Sequence, residues 1–275
     1  MTSRLSRLSG LNKISILSYE EVTYELGLSN VQYFSDVRLQ EYISSIPQHP
    51  NVLNPYNCIL VSQQSTSAFY KVSKQGMTLY DFVQSKKLKQ KTIADIILQI
   101  IDGYNFLIKN RLILSECSIN PKYIWVEYNK HGKLGVYIFN TLEHLSINNF
   151  GTVAYDKKYW SPELTNRYSN YLSMSTDIKT VNTPKMRRTN TCVSNISCVY
   201  SIGLIIYFIT SRQEPLTINI NRPILTSIVN EDFRECIFLS TEERVDDRIS
   251  IDELKSRVLV ISLDIDLDGK CCSIS

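Results

Sequence analysis

Cys198-Val199-Tyr200-Ser201-Ile202-Gly203-Leu204-Ile205-Ile206-Tyr207-Phe208-Ile209-Thr210 is the stretch on which the fold turns. From Tyr200 onward apolar residues fall on every side of a helical projection. Such a helix has no face to give to water and belongs at the centre of a helical body. Tyr200 to Thr210 is about half the length that crosses a bilayer, so the segment is a buried helix and the chain does not span a membrane. Pro215 closes the exit Arg212-Gln213-Glu214-Pro215-Leu216.

Working outward, the C-terminal side continues in helical patterns to about Val260. On the N-terminal side lies a Ser-, Thr- and Asn-rich stretch to Asn195, read as a mobile loop, and before it Tyr159-Trp160-Ser161-Pro162-Glu163. Further back are two short strand patterns, Tyr123 to Glu127 and Leu134 to Phe139, joined at His131-Gly132. The clearest amphipathic helix runs from Thr92 to Ile108, apolar at Ile93, Ile96, Ile97, Ile100, Ile101, Tyr104 and Leu107. The first third of the chain is β-rich. Strand patterns at Ile14 to Tyr19, Val22 to Leu26, Cys58 to Gln63 and Ala68 to Val72 surround one helical pattern, Phe34 to Ile46. Gly76 marks a turn before a short helix at Leu79 to Gln84. The order implies an α+β, two-lobed plan: a flexible lead-in over 1–13, a reduced β-rich lobe over 14–74, a helical lobe over 75–260 with a mobile insertion at about 165–195, and a tail over 261–275.

Bulk properties narrow the function. The formal charge is +3 with acids and bases balanced, which gives no reason to expect nucleic acid. His49, His131 and His144 do not cluster, and no Cys/His spacing fits a zinc site, so no metal is expected. The seven cysteines are odd in number and mostly isolated, the pattern of free thiols in a reducing compartment. Lys86, Lys87, Lys89 and Lys91 read as a solvated face.

From about Ile14 to Val258 the chain resembles the eukaryotic protein kinases. Tyr159-Trp160-Ser161-Pro162-Glu163 looks like the A-P-E motif, Cys198 to Gly203 like the D-V-W-S-x-G opening of the central helix, and Arg212 to Leu216 like its G-x-x-P-F exit. Arg248-Ile249-Ser250 sits where that family carries R-P-S, His49-Pro50-Asn51 resembles its H-P-N, and Thr78 to Phe82 its S-L-x-D-F. The resemblance implies a two-lobed kinase-like fold. It also implies a buried ion pair between Glu163 and Arg248.

The same resemblance says where phosphoryl transfer would need charge: a glycine-rich loop, a strand lysine paired with a helix glutamate, a catalytic aspartate, and an asparagine and aspartate for magnesium. Only Gly10 precedes Gly27, so no glycine-rich loop is present. The strand lysine aligns with Glu25, and Glu41 stands at the helix-glutamate spacing. Two carboxylates face to face at 4 Å repel by about 4 kcal/mol at an effective dielectric near 20, so the helix is expected to rest away from the strand. A lysine supplied from elsewhere would be Lys71 or Lys74. The catalytic loop aligns with Glu116 to Tyr123, placing Ser118 at the base and Tyr123 at the magnesium asparagine; a frame shifted by two makes Glu116 the base. D-F-G falls on Ile138-Phe139-Asn140, or one residue later, with no carboxylate in either frame. Cys198 replaces the aspartate that braces the catalytic loop in the family.

The implied function is a pseudokinase: no catalytic residues, no cofactor, and a scaffolding or allosteric role toward a signalling protein, with an active kinase among the candidates. The rivals are a divergent active serine/threonine kinase using Glu116, and a switch that binds ATP without transfer; only under these are ATP and Mg expected. Lys270-Cys271-Cys272-Ser273-Ile274-Ser275 fits a C-a-a-X prenylation signal at Cys272, with Cys271 as a site for a second acyl chain. That places the protein on the cytosolic face of a membrane.

Overall fold

The computed structural model describes residues 21–29, 36–62, 65–112, 119–142, 157–166, 194–215 and 230–271. The lead-in, the Ile14 to Tyr19 pattern, most of the 165–195 insertion, and Glu116, Cys117, Ser118 and Cys272 lie outside them.

The small lobe is a three-stranded antiparallel sheet in the order β1 (Glu21–Ser29), β4 (Ser65–Ser73), β3 (Asn57–Ser62), with helix α1 (Asp36–Ser45) packed against β3. Alternation in β1 decides its faces. Leu26 is buried and Tyr24 half-buried, whereas Glu21, Thr23 and Glu25 are exposed. Cross-strand partners keep the same sense: Tyr24 lies opposite Tyr70 and Leu26 opposite Ala68, both fully buried. Helix α1 docks through Leu39 and Ile43 and stops ahead of Pro47.

A second sheet joins the lobes, in the order β2 (Val52–Leu53), β7 (Leu134–Phe139), β6 (Ile124–Tyr128), β5 (Met77–Thr78). The two-residue strands β2 and β5 carry too little pattern to be read from sequence. Tyr123 belongs to a 3-10 turn, Pro121–Tyr123, rather than to the strand expected from Tyr123 to Glu127. Asn120 accepts the Lys122 N–H at 2.9 Å, and that local bond holds the turn until the strand opens at Ile124. Asn51 pins the His49-Pro50-Asn51 turn to the helical lobe, donating to Gln99 Oε1 and to the Val136 carbonyl at 3.0 Å each.

The helical lobe contains α2 (Leu79–Ser85), α3 (Gln90–Lys109), α4 (Ser194–Ser211), α5 (Glu231–Ser240) and α6 (Ile251–Cys271), with a helical turn over 162–166. Helix α4 is the axis: from Cys198 to Ile209 every residue is buried, and α3, α5 and α6 pack around it. A Cβ at Gly203 would stand 2.7 Å from the Ser240 side chain, so glycine here lets α5 lie close. At the end of α4, Arg212 takes a left-handed backbone (φ 61°), a cost of roughly 1–2 kcal/mol for a non-glycine residue. Its guanidinium caps α2 by donating to the Val83 and Gln84 carbonyls, and Gln84 returns a bond to the Arg212 carbonyl.

Glu163 and Arg248 meet beneath this helix. The Arg248 guanidinium donates twice to the Glu163 carboxylate, at 2.6 and 2.9 Å, and also to the carbonyls of Glu242 and Glu243. Ser197 adds a bond to Glu163 at 2.6 Å, and Tyr200 places its ring under the guanidinium at 4.9 Å. The Arg248 side chain has no exposed surface. Desolvation pushes the Glu163 carboxyl up, but the bonds from Arg248 and Ser197 outweigh it and hold the group below the usual carboxylate range. Its stabilisation is therefore complete above the carboxylate pKa of the unfolded chain and is lost as pH falls through the lower, folded value. Glu163→Gln is expected to cost about 3–5 kcal/mol in urea unfolding at pH 7. The gap between variant and parent should close as the pH drops below the carboxylate range. A parallel offset at every pH would contradict this account.

Candidate functional site: the cleft between the lobes

Where the two sheets face each other, the cleft is filled by rings. Tyr24, on the inner face of β1, stacks on Phe139 at the end of β7, with centroids 5.1 Å apart and planes 10° from parallel. Trp125 of β6 lies 5.4 Å from Tyr24 and 6.2 Å from Phe139, both tilted. Tyr70 of β4, fully buried, meets Phe139 edge-on at 4.7 Å, and its hydroxyl donates to the Asn140 carbonyl at 2.8 Å. Offset and edge geometries of this kind contribute about 0.5–1.5 kcal/mol per pair beyond area burial. The four rings thus tie the lobes together.

Trp125 needs special surroundings. A Cβ at Gly76 would stand 2.2 Å from the indole nitrogen, so only glycine leaves room for the ring against the segment joining the lobes. That indole donates to Glu127 Oε2 at 3.1 Å, and the same oxygen accepts the Ser73 backbone N–H at 3.1 Å. Tyr137 also bonds to the Glu127 carboxylate. Burial first, then the neighbouring Glu127 charge and that bond, raise the Tyr137 phenol. Ser73 ends the strand that leads into the connecting segment, so the backbone donor there is satisfied from within the chain. Burial, with a smaller contribution from Asp81, pushes the Tyr24 phenol up as well.

The residues singled out from sequence distribute unevenly around this set. Glu25 is exposed on the outer face of β1 and does not enter the cleft; its inward neighbour Tyr24 does. Glu41 is exposed on α1. Repulsion between these two carboxylates is therefore not what positions α1; the apolar contacts of Leu39 and Ile43 are. Lys71 points away from the cleft and lies over the Tyr56 ring at 5.5 Å. Ile138 and Phe139 are buried in β7. Asn140 bonds through both ends of its amide, donating to Asn54 at 2.9 Å and accepting from the Leu142 N–H at 3.2 Å. Cys198 is buried and lies 2.9 Å from the Tyr104 hydroxyl of α3. Tyr123 is half-buried at the end of its 3-10 turn.

Charge gathers instead on the rim of the helical lobe. Lys158 pairs with Glu214, which also accepts from the Tyr80 hydroxyl, and the Lys122 ammonium lies 5.2 Å over the Tyr80 ring. The bond from Lys158 holds the Glu214 carboxyl below its usual range. Among the described residues no three His, Cys, Asp or Glu side chains converge as a metal site would require. Sequence reasoning gave no cleft role to Tyr24, Tyr70, Trp125 and Glu127, and read Gly76 only as a turn. Period-two alternation in β1 was the available signal for Tyr24, since it places Glu25 on the opposite face.

No known protein family matches the chain by sequence, and no curated protein does either. By structure it is similar to the crystal structure of Rad53 1–466 in complex with AMP-PNP, with a TM-score of 0.54 and 14% identity. That match covers 80% of this chain and 53% of the other, so the chain spans about half the length of the Rad53 structure. The small sheet-rich lobe, the helical lobe built around α4 and this likeness together give the chain a protein-kinase-like α+β fold.

Proposed function

We propose that the chain is a catalytically inactive kinase-like domain that acts by binding, as a scaffold or allosteric regulator of a signalling protein. The observation that carries this is the aromatic filling of the cleft: Trp125 against Gly76, under Tyr24 and beside Phe139. A polyphosphate needs cations and a metal-holding carboxylate at fixed positions. Stacked rings and a carboxylate already bonded to Trp125 and Ser73 line this cleft, which supports the reading. The similar Rad53 structure carries AMP-PNP; this chain, on our reading, holds neither ATP nor Mg. Membrane attachment would come through a lipid on Cys272 with a second on Cys271. Among the described residues no helix is long and apolar enough to cross a membrane.

Thermal unfolding with AMP-PNP or ATP, with and without Mg, tests the core of the proposal. A ligand at a hundred times its Kd stabilises by about 2.7 kcal/mol, a shift of several degrees for a domain of this size. No shift and no phosphoryl transfer is the expected result. Metal-dependent transfer abolished by Glu116→Gln would establish an active kinase, and stabilisation by ATP alone would establish a nucleotide switch.

Trp125→Ala should lower stability by about 3–5 kcal/mol in urea unfolding, through the lost ring and the cavity it leaves. Loss below 1 kcal/mol would show that the ring does not fill the cleft.

Cys272→Ser should move the protein from membranes to the soluble fraction of a eukaryotic host. Unchanged fractionation removes the tether from the proposal.

A further inference from the structure

Two connections in the chain carry cations and no acid. Between Asp81 and Asp95 stand Lys86, Lys87, Lys89 and Lys91, and between Glu127 and Glu143 stand Lys130 and Lys133. The first connection joins α2 to α3, and the second is the β6–β7 hairpin. Nothing local couples them; the fold does. Lys86 lies over the Phe82 ring at 4.3 Å and the Tyr128 ring at 5.1 Å, and its ammonium donates to the Tyr128 hydroxyl at 3.1 Å. The two rings are themselves 6.3 Å apart. Lys130 follows Tyr128 by two residues, so the two sets of lysines form one patch.

Its backbone is fixed and its charge is not neutralised. Arg212 caps the end of α2, and Asn129 Oδ1 accepts the His131 and Lys133 N–H groups at 2.9 Å each, closing the hairpin turn. Lys86, Lys87, Lys89, Lys130 and Lys133 are all exposed, and none forms an ion pair among the described residues. Residues 82–94 and 128–141, which carry the patch, are described throughout. The undescribed stretch that follows α4, 216–229, holds Arg222 and no acid to set against it. The chain has 30 basic and 27 acidic residues, so without these five lysines the remainder is 25 against 27. The whole positive excess of the protein sits here.

We propose that this patch is a docking surface for anionic lipid headgroups. The kind of cation decides the class of partner. Both connections contain lysine and no arginine, and the neighbouring Arg212 spends its guanidinium on α2 carbonyls. A guanidinium reads a single carboxylate or phosphate with a planar fork, whereas an ammonium is a hydrated point charge. Point charges spread over two elements suit a plane of diffuse negative charge, where each contributes without a fixed partner. Tyr128 is 45% exposed, and Met77, on the strand beside it, is 36% exposed. These add amphipathic and apolar side chains of the kind that settle at headgroup depth. The proposal rests on the membrane reading above and extends it, since one lipid chain alone gives only marginal residence.

Cosedimentation of the full Cys272→Ser chain with phosphatidylcholine vesicles, containing or lacking phosphatidylserine, tests it. No prenyl group contributes there, so this experiment and the fractionation of the parent chain fail separately. Binding should require phosphatidylserine and be released by high salt. Lys130→Gln and Lys133→Gln, exposed changes expected to leave the thermal midpoint in place, should each weaken it roughly fivefold. Lys109→Gln, an exposed lysine at the opposite end of α3, should not. Lys130 and Lys133 should acetylate readily in the free chain and become protected by the anionic vesicles. Protection before vesicles are added would mean that the chain covers its own patch, and would overturn the proposal. So would indifference to phosphatidylserine, an equal loss from Lys109→Gln, or binding to polyglutamate or an oligonucleotide without binding to the vesicles.

Discussion

A guanidinium without exposed surface must be neutralised where it lies, and Arg248 is the group on which the helical lobe depends. It makes four hydrogen bonds, two to the Glu163 carboxylate and one each to the carbonyls of Glu242 and Glu243, with Tyr200 beneath. The contacts join three parts of the lobe: the turn over 162–166, the axial helix α4, and the connection from α5 to α6. Desolvation makes such a pair expensive to form and more expensive to break from one side. The pair therefore fixes the arrangement of these segments more than it adds net stability. Apolar burial along α4 supplies the stability, and the ion pair decides which packing receives it.

The cleft follows the opposite logic. Its occupants are rings, and the buried Glu127 carboxylate accepts from the Trp125 indole and the Ser73 N–H of the same chain. Gly76 is the constraint that makes this possible, because any side chain there would expel Trp125. In this cleft Ser73 N–H, the Trp125 indole and both ends of the Asn140 amide are already bonded. The polar groups beside the rings are thus satisfied from within the chain.

Legibility in the sequence tracked the range of the signal. Helices α3 and α4 announce themselves because apolar periodicity and apolar density are local properties. The strands β2 and β5 do not, because two residues hold no period. Tyr123 misled for a related reason: a single Asn120 side-chain bond, invisible to propensity, delays the strand by one residue. Glu163 and Arg248 lie 85 residues apart with no local pattern to couple them, and it was the resemblance to the kinases that paired them. The cleft was the least legible region. Motif alignment directed attention to Glu25, whereas the pleat of the strand turns Tyr24 inward. Positions taken from a motif assume the motif's own register, and a strand shifted by one residue exchanges its faces.

The same inversion of faces links the two halves of the small lobe. With Tyr24 committed to the stack on Phe139, β1 cannot rotate or slip without breaking contacts to both sheets. Its outer carboxylates are therefore held in a fixed relation to the helical lobe. The rings that fill the cleft thus also hold the small-lobe sheet in place against the helical lobe.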